Sequence, residues 1–414
     1  MRSGPMPRCA LILMTLLVAS CAATPERPRK ADRTFDIPIV MNDSVETWLN
    51  YFQDGGRERF TLFLERSHKY IPMMRQILRE QNLPEDLVYL AMIESGFNPH
   101  AYSRARATGP WQFMARTGKR YGLKINSWVD ERRDPEKSTV AAAAYLKDLF
   151  DQFNDWYLAA AGYNAGEGKI HRAIRRYDTT DFWEMTKHRY LKRETRNYVP
   201  KLIAAALISK NPEQYGFINL NYEEPLNHDK IVVDRMIDLR VVARLAGSSY
   251  EEIKALNPSL KLWITPPDDP AFELNLPHGT ARLFEKQVAG LNSEERLEGE
   301  AYTVQGGEAI QQIAKRHRLH ASHLRLVNGL SERQNPAPGQ NLVLPAPPPE
   351  GEKWAFRDLE SVEGIYIVRA GDSLWTIARR HRVGIANLKE WNPNLQRTRT
   401  LHPGQKIRIV AQNI

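Results

Sequence analysis

Apolar residues recur at helical spacing through the first half of the chain. Within it, Thr139–Phe153 is alanine-rich and has larger apolar residues three and four positions apart, which is the pattern of an amphipathic helix. Pro84, followed by two acidic residues, is typical of the start of another helix, which would run to Glu94. Residues 45–210 are therefore predicted to form an all-α domain.

The pattern changes after Asn211, where prolines and short β-like runs replace the helical periodicity. A set of apolar positions followed by an asparagine then occurs three times, with the same intervals of four, ten and four residues. The three copies are Leu239, Ala243, Ile253 and Asn257; Ile310, Ala314, Leu324 and Asn328; and Leu374, Ala378, Leu388 and Asn392. Each copy predicts a strand, two short helices and a strand, which is a βααβ unit.

These repeats resemble the LysM module, and we place them at 231–277, 302–345 and 366–410. The last two begin with Tyr-x-Val and end near Pro-Gly-Gln, and the third, with Val368–Leu374, is the closest match. The first lacks the opening turn and the Pro-Gly-Gln, so it is a degenerate copy. The resemblance implies binding of glycans that contain N-acetylglucosamine. The proline-rich stretch Pro345–Pro349 is interpreted as a linker between the last two repeats.

The first 21 residues have the layout of an export signal. Two arginines precede an apolar run, Ala10–Ala19, which is too short to span a bilayer as a mature helix. The run leads into Val18–Cys21, which resembles the bacterial lipobox. That resemblance implies that Cys21 is acylated and becomes the first residue, and Ala22 after it favours the outer membrane. An ordinary cleaved signal with an incidental cysteine is the alternative.

Residues 22–44 are rich in charge and proline and are interpreted as a tether. The protein is therefore expected on the periplasmic face of the outer membrane of a Gram-negative bacterium, anchored by lipid and not spanning the bilayer. Cys9 and Cys21 are the two cysteines of the chain. The folded part can therefore contain neither a disulfide framework nor a cysteine-based metal site.

The composition is that of an ordinary globular protein, with 42% apolar and 26% charged residues. Its 414 residues are too many for one compact core and enough for two or more domains. A net charge of +9 would suit nucleic acid, a phosphate-rich membrane or an anionic cell wall. The export signal argues against nucleic acid.

Glu94 is the candidate catalytic acid. It shares a helix face with Leu87, Leu90 and Ala91, at intervals of seven, four and three residues. A carboxyl group at the end of such an apolar stripe loses hydration, and this loss raises its pKa. A general acid that works near neutral pH requires that shift. Without further evidence, a glutamate in the last turn of a helix is more often an ordinary capping or ion-paired residue.

Further motifs accompany this glutamate. They contain glycines, which let a polymer approach the backbone closely, amides that can hold hydroxyl or N-acetyl groups, and aromatic rings that offer flat faces to sugars. The segments are Ile93–Phe97, which includes Ser95; Gly109–Met114, which includes Gln112; Gly162–Gly166, which includes Tyr163 and Asn164; and Asn197–Lys201, which includes Tyr198.

In this order the segments resemble the lysozyme-like lytic transglycosylases of family 1, the soluble-transglycosylase and goose-lysozyme group. The family pattern of Glu-Ser, Gly-Leu-Met-Gln, Ala-Tyr-Asn and Tyr corresponds to Glu94–Ser95, Gly109–Gln112, Gly162–Asn164 and Tyr198. This chain has Pro-Trp for Leu-Met and Gly for Ala. The fold class implied is multidomain, an all-α lysozyme-like catalytic domain followed by small α+β LysM repeats.

The resemblance also implies an activity, which is cleavage of the bond between N-acetylmuramic acid and N-acetylglucosamine in peptidoglycan strands, leaving 1,6-anhydromuramic ends. Glu94 would be the catalytic residue, and no metal or organic cofactor is implied. The substrate-binding candidates are Ser95, Gln112, Tyr163, Asn164 and Tyr198.

Two alternatives stay open at this point. The first is a muramidase on the same fold, in which water replaces the C6 hydroxyl of the sugar. A glycosidase that uses two carboxylates needs a second acid, and Glu85 and Asp86 should lie two helical turns from Glu94. The second alternative is a non-catalytic lipoprotein that binds peptidoglycan through its LysM repeats alone.

Overall fold

The computed structural model describes residues 35–267, 269, 271–292, 295–331, 334–346 and 362–368, together with separate stretches of 373–411. The expected signal 1–21, with Cys21, lies outside the described residues. So do the tether up to residue 34, most of the linker Pro345–Pro349 and most of the turn Val368–Leu374.

The first part of the described chain is helical. Its α-helices are α1 Asp43–Gln53, α2 Arg57–Glu80, α3 Val88–Ser95, α4 Ala115–Arg120, α5 Pro135–Phe153, α6 Trp156–Ala165, α7 Glu167–Tyr177, α8 Phe182–Thr186 and α9 Arg193–Lys210. Short 3₁₀ helices occur at Glu85–Leu87, Glu131–Arg133 and Pro212–Tyr215.

Polar side chains cap the N-terminal ends of several of these helices. The side chain of Asn42 accepts hydrogen bonds from two backbone N–H groups in the first turn of α1, each at 3.1 Å. Asp134 does the same for α5, and Pro135 occupies the first position of that helix. Such caps satisfy N–H groups that have no partner inside the helix.

The apolar faces of these helices meet in one core. The core begins before α1, because Ile37 is 4% exposed and the Tyr157 hydroxyl donates to the Pro38 carbonyl at 2.7 Å. It also continues past residue 210, because Phe217 is 2% exposed and packs on Phe60. The end of the expected tether and the segment after α9 are therefore built into the helical domain.

The second part of the described chain consists of small βααβ units, as the repeats predict. The first contains β1 His228–Val233, α10 Leu239–Ala246, α11 Tyr250–Leu256, β2 Phe272–Pro277 and an added helix, α12 Ala281–Val288. The second contains β3 Gly299–Thr303, α13 Ile310–Arg316, α14 Ala321–Val327 and β4 Asn341–Pro345. Of the third, the structure gives β5 Val362–Ile367, α15 Leu374–His381 and β6 Lys406–Ala411.

The two strands of each unit pair antiparallel, with Val233 opposite Phe272, Thr303 opposite Asn341 and Ile367 opposite Lys406. Each unit has a hydrophobic core of its own. The predicted multidomain fold class, an all-α domain followed by small α+β units, is therefore confirmed.

The asparagine that closes the repeated spacing has a structural role. Asn257 donates to the carbonyls of Ile253 and Asn275 at 2.8 Å and accepts from the Asn275 N–H at 2.9 Å. Asn328 makes the matching bonds in the second unit. An amide has both donor and acceptor atoms, so one side chain joins the second helix of the unit to its last strand.

Candidate active site

Glu94 lies in the last turn of α3, a helix whose residues Val88–Met92 are all buried. Gly96 ends the helix with a φ of +60°, and its α-carbon packs so closely that a β-carbon there would lie 2.0 Å from the ring of Phe63. Only glycine fits this position without displacing that ring. The helix therefore stops where the Glu94 carboxyl group can meet side chains from α9.

The partner of Glu94 is Tyr198 in α9. The tyrosine hydroxyl donates a hydrogen bond of 2.7 Å to Oε1 of the glutamate, across 104 positions of sequence. Burial raises the pKa of Tyr198 well above its ordinary value, and the charge of Glu94 raises it further. The phenol therefore keeps its proton and remains a donor.

Burial also raises the pKa of Glu94, from 4.5 to about 7. The hydrogen bond from Tyr198 lowers this pKa, the charge of Glu194 raises it, and the charge of Lys201 lowers it. Loss of hydration penalises only the charged form of the carboxyl group. Its effect on the pKa is larger than that of the two contacts that stabilise the same form. The pKa of Glu94 thus lies near neutral pH, which suits a side chain that donates and accepts protons.

Tyr163 stands beside this pair. Its hydroxyl donates to the Trp111 carbonyl at 2.7 Å, and its ring contacts those of Phe113 and Tyr145, with centroids 6.1 and 5.2 Å away. The pKa of Tyr163 is raised well above its ordinary value by burial and then by the charge of Glu94. The structure therefore brings Tyr163 to Glu94, and it binds the segment that begins at Gly109.

Ser95 and Gln112 shape the backbone beside the carboxyl group. The Ser95 hydroxyl donates to the Pro110 carbonyl at 2.7 Å. The amide nitrogen of Gln112, a residue with a φ of +49°, donates to the carbonyl of Gly109 at 2.9 Å and to that of Ala101 at 3.3 Å. In the structure, both side chains bond to the loop and not to Glu94.

Asn164 lies where α6 ends against the first turn of α9. Its Oδ1 accepts a hydrogen bond of 2.9 Å from the Thr195 hydroxyl, and its amide nitrogen is 3.5 Å from Oε1 of Glu194. The amide therefore links the Gly162–Gly166 motif to the helix that carries Tyr198.

Sequence reasoning missed several groups around the acid. A cavity of about 180 Å³ lies beside Ile93, the neighbour of Glu94. It is lined by Trp48, Tyr51, Phe52, Gly56, Arg59, Phe60, Phe63, Ile93 and Lys201. The Lys201 ammonium lies 4.4 Å from the centre of the Trp48 ring. Most of this lining comes from α1 and α2, whose periodicity alone predicts only buried faces.

Glu194 was also missed. It lies in the first turn of α9 and acts on Glu94 through its charge, so a second carboxylate is present near the acid.

The described residues contain no group of three or more His, Cys, Asp or Glu side chains that could hold a metal ion. Among the same residues, no helix is both long and apolar enough to cross a membrane.

Comparison with known protein families covers most of the chain. Residues 72–186 match the transglycosylase SLT domain, and residues 302–345 and 366–410 match the LysM domain. Residues 227–293 match the LysM-like domain described for the lytic transglycosylase MltD. A helical domain that matches the transglycosylase SLT domain, joined to these repeats, defines the class as lytic transglycosylase.

Similar proteins narrow this class. The chain is 32% identical over 363 residues to membrane-bound lytic murein transglycosylase D of Escherichia coli, covering 84% of this chain and 77% of that protein. It is also 30% identical over 166 residues to membrane-bound lytic murein transglycosylase C of Photorhabdus laumondii, covering 34% of this chain and 46% of that protein. The chain belongs to the family of membrane-bound lytic murein transglycosylase D, as its motifs predict.

Solved structures with partial similarity include the 70 kDa soluble lytic transglycosylase of Escherichia coli. It is 23% identical and has a TM-score of 0.31, and the aligned part covers 35% of this chain and 24% of that chain. A soluble lytic transglycosylase of Pseudomonas aeruginosa is 23% identical with a TM-score of 0.30, covering 37% of this chain and 25% of its own.

Proposed function

We propose that the chain cleaves the bond between N-acetylmuramic acid and N-acetylglucosamine in peptidoglycan, with Glu94 as its general acid. The observation that carries this role is the partly buried carboxyl group whose pKa is about 7 and whose Oε1 accepts a 2.7 Å hydrogen bond from Tyr198. Membership of the transglycosylase family supports the reaction class, and it makes the protein an enzyme of the bacterial envelope.

The reaction uses Glu94 twice. The protonated carboxyl group gives its proton to the glycosidic oxygen, and the bond to C1 of the muramic acid breaks. The N-acetyl group or an oxocarbenium ion then holds the positive charge. The Glu94 carboxylate takes the proton of the C6 hydroxyl, the C6 oxygen bonds to C1, and the 1,6-anhydro ring closes. The enzyme ends protonated, as it began, and no metal or organic cofactor takes part.

Tyr198 stabilises the carboxylate form of Glu94, which exists between the two proton transfers. Once Glu94 has given up its proton, the tyrosine hydroxyl donates to a carboxylate, and hydrogen bonds to charged groups are the stronger ones. We also propose that Tyr198 and Asn164 orient the N-acetyl group. The long 3.5 Å contact between the Asn164 amide nitrogen and Glu194 supports a donor that can turn to a ligand.

The remaining site residues would bind substrate through the surface that they build. Tyr163 supplies a ring beside the acid, and Ser95 and Gln112 hold the backbone of the loop at Gly109–Gln112. Two of the five substrate-binding residues therefore act in this proposal through the loop that meets the sugar.

A muramidase is the second candidate, because Glu194 supplies a carboxylate near Glu94. Products separate the two reactions. Sacculi digested by the full chain should release muropeptides with 1,6-anhydro ends, which are lighter by one water molecule than the reducing ends left by hydrolysis. Reducing ends as the main product would contradict the proposal.

Glu94→Gln keeps the shape of the side chain but has no proton to transfer. Its turnover should fall roughly 10²–10⁴-fold, the usual share of general acid catalysis, while the helical circular dichroism stays unchanged. The matched control is Glu224→Gln, because Glu224 is exposed and should leave turnover as it is. Near-normal turnover of Glu94→Gln would remove Glu94 from this role.

We further propose that the signal within residues 1–21 is cleaved immediately before Cys21, that Cys21 is acylated and becomes the first residue, and that the protein is anchored at the periplasmic face of the outer membrane. The motif at Val18–Cys21 supports this location. We propose that the tether expected at 22–44 ends before Ile37 and that the catalytic domain expected at 45–210 continues at least to Phe217, because both residues lie in its core. The described core continues beyond both ends of 45–210.

The LysM matches at 302–345 and 366–410 support binding of peptidoglycan glycan. These repeats would hold the enzyme on its polymer. Tethered weak sites raise the local concentration of substrate without changing the chemistry.

A further inference from the structure

The first βααβ unit pairs with the helical domain along a loop, residues 124–134, which we call the docking loop. The N–H of Asp130 donates to the Ser259 carbonyl at 2.8 Å, and the N–H of Lys261 donates to the Trp128 carbonyl at 2.9 Å. Val129 and Leu260 pair between them as an isolated β-bridge. Backbone pairing of this kind fixes the register of the two surfaces.

Side chains of the docking loop complete the core of the unit. Trp128 is 7% exposed and Val129 is 3% exposed, and both pack into the hydrophobic cluster of the first unit with Leu260. Ion pairs surround this contact, between Lys124 and Asp269, Lys137 and Glu273, and Lys230 and Glu136. The shared core distinguishes this junction from a flexible connection between domains.

The other face of the docking loop holds the segment Arg106–Phe113, which contains Gln112. The guanidinium group of Arg132 pairs with Asp130 at 2.7 Å and donates to the carbonyls of Arg106 and Phe113, both at 3.0 Å. At Gly109 the backbone lies so close that a β-carbon would be 1.7 Å from the Arg132 carbonyl oxygen. Arg132 is buried, so these bonds are shielded from water.

The contacts form a continuous path from the repeat to the acid. The unit holds the backbone of Asp130, Asp130 pairs with Arg132, and Arg132 holds both ends of the segment that contains Gln112. That segment contacts the helix of Glu94 through the bond between Ser95 and the Pro110 carbonyl.

The second repeat leaves the equivalent surface open. In the first unit, residues 257–266 are buried except for Lys261. In the second, the corresponding segment 328–340 is mostly exposed wherever it is described. The docking loop pairs with Ser259–Lys261 of the first unit, whereas most of the corresponding segment in the second unit faces solvent.

We propose that the first LysM-like unit is a positioning element of the active site, which acts through Asp130 and Arg132 on the loop that carries Gln112. This inference rests on the proposed function. It also predicts that a chain cut near residue 210 lacks a part that the chemistry needs, although every side chain proposed to act on the substrate lies before that point.

The test uses the full chain with two substitutions made one at a time. Trp128→Ala removes a large side chain of the docking loop from the shared core. Leu260→Asp places a charge in the same core from the first unit. Assayed on soluble glycan fragments, each should lower kcat roughly 10- to 100-fold, the effect of a small misplacement. The alkaline limb of the pH profile should move to lower pH, because a loosened loop admits water to Glu94.

Two controls accompany these variants. Leu324→Asp makes the same change at a fully buried leucine of the second repeat and should leave kcat on soluble fragments unchanged. Trp128→Phe keeps an aromatic ring in the shared core and should recover most of the lost kcat.

Each outcome decides the question. Unchanged kcat and an unchanged pH profile in Trp128→Ala and Leu260→Asp would overturn the inference. Loss of the helical circular dichroism in both variants would also overturn it, because the unit would then be needed for folding and not for positioning. The proposed function is judged separately, by the 1,6-anhydro products of the unaltered chain on the same fragments.

Discussion

Glu94→Gln should make the protein more stable at neutral pH while it removes activity. Burial raises the pKa of Glu94 from 4.5 to about 7 in the folded state. An acid whose pKa is higher when folded binds more protons in that state, so its ionisation opposes folding. The cost is absent below pH 4.5, grows as pH rises between 4.5 and 7, and is complete above pH 7.

The magnitude follows from the two pKa values. A difference of about 2.5 pKa units at about 1.4 kcal/mol each corresponds to about 3–4 kcal/mol of unfolding free energy well above pH 7. Glutamine is neutral at every pH and can still accept the hydrogen bond of Tyr198 through its amide oxygen. The substitution should therefore recover about 3 kcal/mol at pH 7.5, or roughly 6–12 °C in the Tm of a domain of this size, and almost nothing at pH 4.

The assay is thermal unfolding of the full chain, followed by helical circular dichroism from pH 4 to pH 8. The difference in Tm between Glu94→Gln and the parent should open between pH 4.5 and 7 and then level off. Glu224→Gln, at an exposed position, serves as the control, with no comparable opening expected. A Tm difference that is constant with pH, or that shrinks as pH rises, would refute the reasoning.

Four further predictions concern the site, the anchor and the repeats. Tyr198→Phe removes a hydrogen bond to the charged Glu94 carboxylate, so the alkaline limb of the kcat/KM pH profile should move to higher pH by about 1–2 units. The kcat should also fall, and an unmoved alkaline limb would contradict the contact. Glu194→Gln removes a charge that raises the pKa of Glu94, so the same limb should move to lower pH. Cys21→Ala should shift the protein out of the membrane fraction, and unchanged fractionation would argue against the anchor. A chain that ends at Glu298 should cleave soluble fragments normally but pull down less with sacculi, because it lacks the last two repeats.

Much of the fold could be predicted because it depends on short-range patterns. The helix that ends after Glu94 follows from Pro84, the acids after it and the apolar spacing of Leu87, Leu90 and Ala91. The βααβ units follow from the repeated intervals of four, ten and four residues, which place buried side chains at corresponding points of each unit. Caps and periodicity act within a few residues, so a single sequence displays them.

The candidate acid was recognisable for the same reason, because its burial follows from the helix face that it shares. Its surroundings were not. Ser95 and Gln112 were expected to bind substrate, and in the structure their side chains bond to backbone carbonyls of the loop. Glu194 and Lys201 affect the pKa of Glu94 from about 100 positions away, and no local pattern reports such a distance.

The sequence by itself determined the class of the protein: a helical domain with an acid on an apolar face, followed by repeats. Tertiary structure alone decided which groups meet that acid, since the bond between Tyr198 and Glu94 spans 104 positions. It also decided that the first repeat shares a core with the docking loop through Trp128. Local periodicity specifies which face of an element is buried, but the partner of that face is selected by packing among all elements together.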